Sequence, residues 1–187
     1  MSDAILDTRR RALEDAFFID HDRRLARHAA EEEARRAERD AIGHATGITD
    51  PDVIDQLIAL DLCSTTLAAL AVVPMVAVAW ADGDVAERER DAVLDVAEEL
   101  GLAPDSPSHD LLEAWLLQRP PATLLSAWEA YTSVFTAKLD PPARDTLRNE
   151  VISRARAVAE AQGGFLRFGR ISAAEDAILR RLEAVLT

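Results

Sequence analysis

The most apolar stretch, the fifteen residues LAALAVVPMVAVAWA from Leu67 to Ala81, constrains this chain more than any other feature. A run of that kind must leave water. It is shorter than the roughly 20 residues that cross a bilayer and it carries Pro74, so burial inside a protein core is expected rather than a membrane span. Long segments rich in Ala, Arg, Glu and Leu surround it, with few alternating β-branched stretches, and these read as helices. With 187 residues, 49% of them hydrophobic but only 5% aromatic, the chain can fill one core with Ala, Val, Leu and Ile. The expected fold class is all-α, with at least six helices and the Leu67–Trp80 helix at the centre.

Breakers divide the chain into an N-terminal charged arm, residues 1–48, and a helical domain, residues 49–187. The arm, DRRLARHAAEEEARRAERDAIGHATG, has few large apolar residues beyond Phe17, Phe18, Ile19 and Leu25. Opposite charges four apart, Glu31 with Arg35 and Glu32 with Arg36, favour an exposed helix that Phe17 and Phe18 would anchor. Gly43 and Gly47 are expected to end it, and Thr49-Asp50-Pro51 to start a short helix. Ser64-Thr65-Thr66 is the expected cap of the apolar helix. Asp82-Gly83-Asp84 then turns into a helix with Ala92, Val93, Val96 and Leu100 on one face. Further helices follow at LLEAWLLQ, at ATLLSAWEAYTSVFTAKL, from Pro141-Pro142 to Gln162, and from Ser172. Trp115, Trp128 and Tyr131 lie at helical spacing among leucines and read as core or helix-contact residues; an aromatic binding pocket is the alternative, which nothing else in the sequence asks for.

The net charge of -13 argues against non-specific nucleic-acid binding, and it is unevenly spread. Residues 49–118 hold 15 acids against 2 arginines, whereas residues 119–187 hold 8 acids against 10 bases. The lone Cys63 excludes an internal disulfide and no charged-then-apolar leader opens the chain, which points to the cytoplasm. His21, His28, His44 and His109 have neither HExxH spacing nor a cysteine cluster, and no glycine-rich phosphate loop is present. No base, nucleophile and orienting group can be assigned together, so the chain reads as no enzyme and needs no cofactor.

Self-comparison isolates one recurring unit. Gly83-Asp-Val-Ala-Glu-Arg-Glu89 and Gly169-Arg-Ile-Ser-Ala-Ala-Glu175 share the pattern Gly-x-(Val/Ile)-x-x-x-Glu. Counting 3, 4, 7 and 11 residues beyond each glutamate gives Ala92, Val93, Val96 and Leu100, then Ile178, Leu179, Leu182 and Leu186. Two corner-plus-helix units imply an internally duplicated helical bundle. Ser172 and Glu175 form a Ser-x-x-Glu capping box, which accounts for Glu175 without a ligand. Ala86 occupies the matching position before Glu89 and cannot reciprocate, although Asp84 and Glu87 offer a box two residues earlier. A calcium loop with Gly83 at its sixth position would put Val78 and Trp80 at its first two ligand positions, so an EF-hand is excluded.

The stretch VPMVAVAWADGDVAERERDAVLDVAEELGL resembles the tellurite-resistance TerB family, and the resemblance covers about residues 64–187. The family signature is an apolar helix, an Asp-Gly corner and a glutamate six residues after the glycine. Asp82, Gly83 and Glu89 match the first copy, and Gly169 and Glu175 the second. Phe168 and Arg170 depart from it, which removes a carboxylate and adds a cation there. The resemblance implies an all-helical, duplicated domain with a metal site at the paired corners, for which Asp82, Asp84, Glu89 and Glu175 are the candidate ligands. It also implies a role in stress-linked or membrane-associated assemblies. The preferred expectation is a non-catalytic TerB-like module that docks a protein partner through the arm or the acidic residues 49–118, with peripheral membrane association and homodimerisation through the arm both compatible. The alternative is a divalent-cation-binding domain built on the two corners, and helix capping explains the same residues without metal.

Overall fold

The computed structural model describes residues 2–161 and 171–187, with side chains from Asp20 onward. The chain forms two compact units, Met1–Ala41 and Ile42–Thr187. The first lies within α1 (Ser2–Thr46), a helix of 45 residues. From Asp20 to Ala37 every residue is exposed, as the scarcity of apolar side chains there requires. Arg24 and Asp20 make the ion pair on this stretch, 2.7 Å apart. The pairs expected at Glu31–Arg35 and Glu32–Arg36 are not formed; both partners of each stay in water, where such a contact contributes only a few tenths of a kcal/mol. The side chains of Phe17 and Phe18 lie outside the described residues.

The second unit begins with the last turn of α1. The helix continues through Gly43, whose absent side chain admits the Ile48 carbonyl: a Cβ there would stand 3.1 Å from that oxygen. Gly47, at φ +68°, provides the stop. Pro51 starts α2 (Pro51–Ile58), with Asp50 as its N-cap accepting from the Asp52 amide at 3.0 Å.

The apolar run differs from the expected single helix. Leu67–Val72 is 3-10, and only then does α3 (Val73–Ala79) begin. Pro74 gives the reason, because its ring would meet the carbonyl four residues back in a continuous α-helix and it has no N–H to donate. Placed in the first turn, it does neither harm. Thr66 does not cap the run either: its hydroxyl donates to the Asp61 carbonyl at 2.6 Å and accepts from the Cys63 amide at 2.8 Å, closing the preceding turn.

The remaining helices are α4 (Glu87–Glu99), α5 (Pro107–Leu117), α6 (Thr123–Thr136), α7 (Pro141–Ala161) and α8 (Ala173–Val185). Pro107 opens α5 behind the Ser106 cap rather than merely breaking what precedes it. Among the described residues there is no strand, so the fold is all-α. The centre is where the apolar run demanded it. Val72, Val73, Met75, Val76, Val78 and Ala79 are each at most 1% exposed, and α3 packs against α4, α6, α7, α8 and the 3-10 segment. No helix among the described residues is long and apolar enough to cross a membrane.

Candidate functional site

The Asp-Gly corner follows directly from the end of α3. Trp80 ends that helix, and its indole N–H donates to the Trp115 carbonyl at 2.8 Å, which fixes the ring. Gly83 then takes φ +115°, a conformation that a side chain would oppose, and Asp82, Gly83 and Asp84 are all exposed. Ala86 is extended and caps α4, so Asp84 is not the N-cap and the box expected between Asp84 and Glu87 does not form.

Glu89 is instead the third residue of α4 and folds back onto its own helix start. Its Oε2 accepts the Ala86 N–H at 2.8 Å, which is half of a capping box, since an alanine methyl cannot supply the other half. Glu175 repeats this on α8 with the box complete. Its Oε2 accepts the Ser172 N–H at 2.5 Å, and the Ser172 hydroxyl accepts the Glu175 N–H at 3.1 Å. The glutamates are 0% and 1% exposed, and the Oε1 of each is buried without a hydrogen-bond partner.

Capping therefore accounts for one oxygen of each carboxylate and leaves the other unexplained. Burial is the main cause that pushes the Glu89 carboxyl up to about 7; the Ala86 amide opposes it, and the charges of Asp82, Glu175 and Asp84 add to it. Two glutamates from helices 86 residues apart in sequence thus share one electrostatic environment. Both helices pack on α3 and α7, which is how the core brings their first turns into range. Chemically, the Glu89 carboxyl favours a proton or a cation near its unpartnered oxygen, because a buried carboxylate is poorly solvated and the Glu175 charge repels it.

The four carboxylates singled out by sequence divide accordingly. Glu89 and Glu175 are in the core, while Asp82 and Asp84 stand on the exposed corner above Glu89 in sequence. Among the described residues no group of three or more His, Cys, Asp or Glu side chains is placed to hold a metal ion. Phe168, Gly169 and Arg170 of the second corner lie outside the described residues.

A second feature is a groove beside the aromatic residues, the alternative that the sequence left in second place. An apolar groove of about 380 Å³ is lined by Leu67, Leu70, Met75, Trp128, Tyr131, Phe135, Leu147 and Val151, with Glu150 and Arg154 at its polar positions. Trp115 and Trp128 are core residues as expected, but Tyr131 is only half-buried, and burial raises the affinity of its phenol for its proton. Phe135, one turn on, stacks against it with ring centroids 6.0 Å apart and remains 36% exposed. Trp128, Tyr131 and Phe135 make one stripe at helical spacing. A stripe alone does not distinguish a core face from a groove wall, since that depends on how closely the next helix approaches.

No protein-family model, curated protein or solved structure matches this chain.

Proposed function

We propose that this chain is a non-catalytic, TerB-like interaction module of the cytoplasm that receives an apolar helix face of a protein partner in the groove walled by Tyr131 and Phe135. The observation that carries the reading is the groove itself: about 380 Å³, mostly apolar, with an exposed stacked aromatic on one side. A large aromatic left in water at the edge of a cavity is the usual form of an anchor site for a partner's side chain. The groove has one acid and one base, Glu150 and Arg154, paired with each other at 3.4 Å, which suits an amphipathic rather than a highly charged occupant. The matched geometry of Glu89 and Glu175 supports an internal duplication within a helical bundle, and the Asp-Gly corner supports the family resemblance.

Photocrosslinking from position 135 tests the proposal. With p-benzoylphenylalanine in place of Phe135, a discrete adduct with one protein is expected in the source cell, and the purified adduct partner binds the unmodified chain. The same group in place of Leu117, which is 69% exposed and outside the groove, should give none. Equal adducts from both positions, or none from 135, would overturn the assignment.

One observation favours a second reading, a divalent-cation site: the two buried oxygens, Glu89 Oε1 and Glu175 Oε1, that capping leaves without donors. Hard cations take six to eight oxygens, of which Glu89 Oε1 and Glu175 Oε1 would supply two and water most of the rest. Calorimetric titration of calcium, magnesium and zinc into chelator-treated protein decides it, with micromolar binding abolished by Glu89→Gln as the supporting result and no heat from any of the three as the contrary one.

A further inference from the structure

A separate cavity of about 180 Å³ opens between α3, the Arg119–Ala122 connection, the first turn of α6 and the middle of α8. Its floor is apolar, formed by side chains such as Val76, Leu124 and Ile178, and Trp80 forms one wall. Two guanidinium groups, Arg119 and Arg181, line it, and no acidic residue does. The cavity thus carries two bases and no acid, both from residues 119–187, the part of the chain in which bases outnumber acids.

The two arginines differ in how far they are committed. Arg181 is held by Glu129, Nε to Oε1 at 2.5 Å and Nη2 to Oε2 at 2.8 Å, so one edge of its fork is already occupied. Arg119 has no ion pair among the described residues; its guanidinium carbon lies 5.9 Å from the centre of the Trp80 ring. The Trp80 ring is itself fixed through the Trp115 carbonyl. Pro120 and Pro121 follow Arg119 directly, restricting its backbone to extended conformations and removing two amide donors from the rim. The result is a stiff mouth that presents one unneutralised, planar cation over a small apolar floor.

We propose that this cavity binds the carboxylate of a small apolar acid, with Arg119 as the charge partner, the acyl or side-chain carbons against Trp80, Leu124 and Ile178, and Arg181 closing the far edge. A guanidinium suits this because its donors match the two carboxylate oxygens in one plane. The same chemistry is offered by a free short-chain carboxylic acid and by the C-terminal residue of a peptide. The inference does not depend on the groove at Phe135, which has different walls.

Nitrogen–proton correlation NMR on the full chain tests it through the indole N–H of Trp80, assigned by its loss in Trp80→Phe. The probes are hexanoate for a free acid and N-acetylleucine for a peptide C-terminus, with hexan-1-ol and hexylamine as neutral and cationic counterparts. Saturable shifts are expected with at least one of the two acids, at a dissociation constant on the order of 1 mM for so small a ligand. Which acid binds identifies the source. The alcohol and the amine should bind at least about ten-fold more weakly, since each lacks the charge that Arg119 would pair. Arg119→Gln, an exposed substitution that leaves the core untouched, should weaken the acid about ten-fold, and Arg119→Lys should restore part of the loss. Absence of saturable shifts with both acids, equal binding of hexan-1-ol, or an unchanged constant in Arg119→Gln would each overturn the proposal.

Discussion

Glu89 and Glu175 do the same thing on two different helices: each is the third residue of its helix, each accepts its N-cap amide through Oε2, and each buries Oε1 without a donor. Only the serine that completes the second box distinguishes them locally. An N3 glutamate that merely capped an exposed helix would sit at the surface, with its second oxygen in water. Burial of both therefore ties the helix starts to the core through groups that the core solvates badly.

This arrangement fixes the sign of a pH effect. Glu89 has a folded-state value of about 7 against an ordinary 4.5, so the fold favours its protonated form. Its favourable contribution is complete below about pH 4.5 and is lost as pH rises through about 7, by up to about 3 kcal/mol. Other carboxylates add their own slopes, so the quantity to measure is the stability of the wild-type chain minus that of Glu89→Gln, in chelator, from pH 4.5 to 8. That difference should fall with rising pH and level off above 7. A flat difference would show that Glu89 is ionised in the fold without penalty.

At the corner, Gly83 is required by its backbone and not by crowding. A Cβ built there meets nothing within 4 Å, yet φ is +115°. Gly83→Ala should therefore destabilise by about 1 to 2 kcal/mol and Gly83→Val by at least as much, because a β-branched side chain opposes positive φ more strongly than a methyl does. An alanine variant as stable as the wild type in denaturant unfolding would show that backbone conformation does not select glycine here.

In the central run, Val76→Asp places a charge on a residue that is 1% exposed and belongs to the hydrophobic core cluster. The cost of several kcal/mol is comparable with a typical total stability of about 5 to 15 kcal/mol. No cooperative unfolding transition is expected for that variant at neutral pH by circular dichroism. A sigmoidal melt near the wild-type temperature would remove α3 from the centre of the fold.

Much of this was legible in the letters, and the failures have physical causes. An apolar stretch too short for lipid had to be central, and Ser172 with Glu175 had to be a cap. The 3-10 stretch at Leu67–Val72 was hidden because the effect of Pro74 reaches back over the preceding turn, while composition alone favoured a continuous helix. The burial of Glu89 was hidden by its residue type, although its position gave the signal: Glu89, Val93, Val96 and Leu100 share one helix stripe, as do Glu175, Leu179, Leu182 and Leu186. A carboxylate on an apolar stripe is a buried carboxylate unless the helix ends first. The groove left no such mark, because Tyr131 and Phe135 would form the same pattern against a close neighbour.

The most direct test of the interaction module is the affinity of the purified partner, recovered by crosslinking from position 135, for three chains: wild type, Phe135→Glu and Leu117→Glu. Phe135 is 36% exposed, so its replacement leaves the core intact, and a charge on the groove wall should weaken binding at least about ten-fold. Leu117→Glu changes an apolar residue exposed to 69% elsewhere and should bind as wild type does. Wild-type affinity in Phe135→Glu, with the loss instead in Leu117→Glu or in neither, would contradict the groove as the docking site.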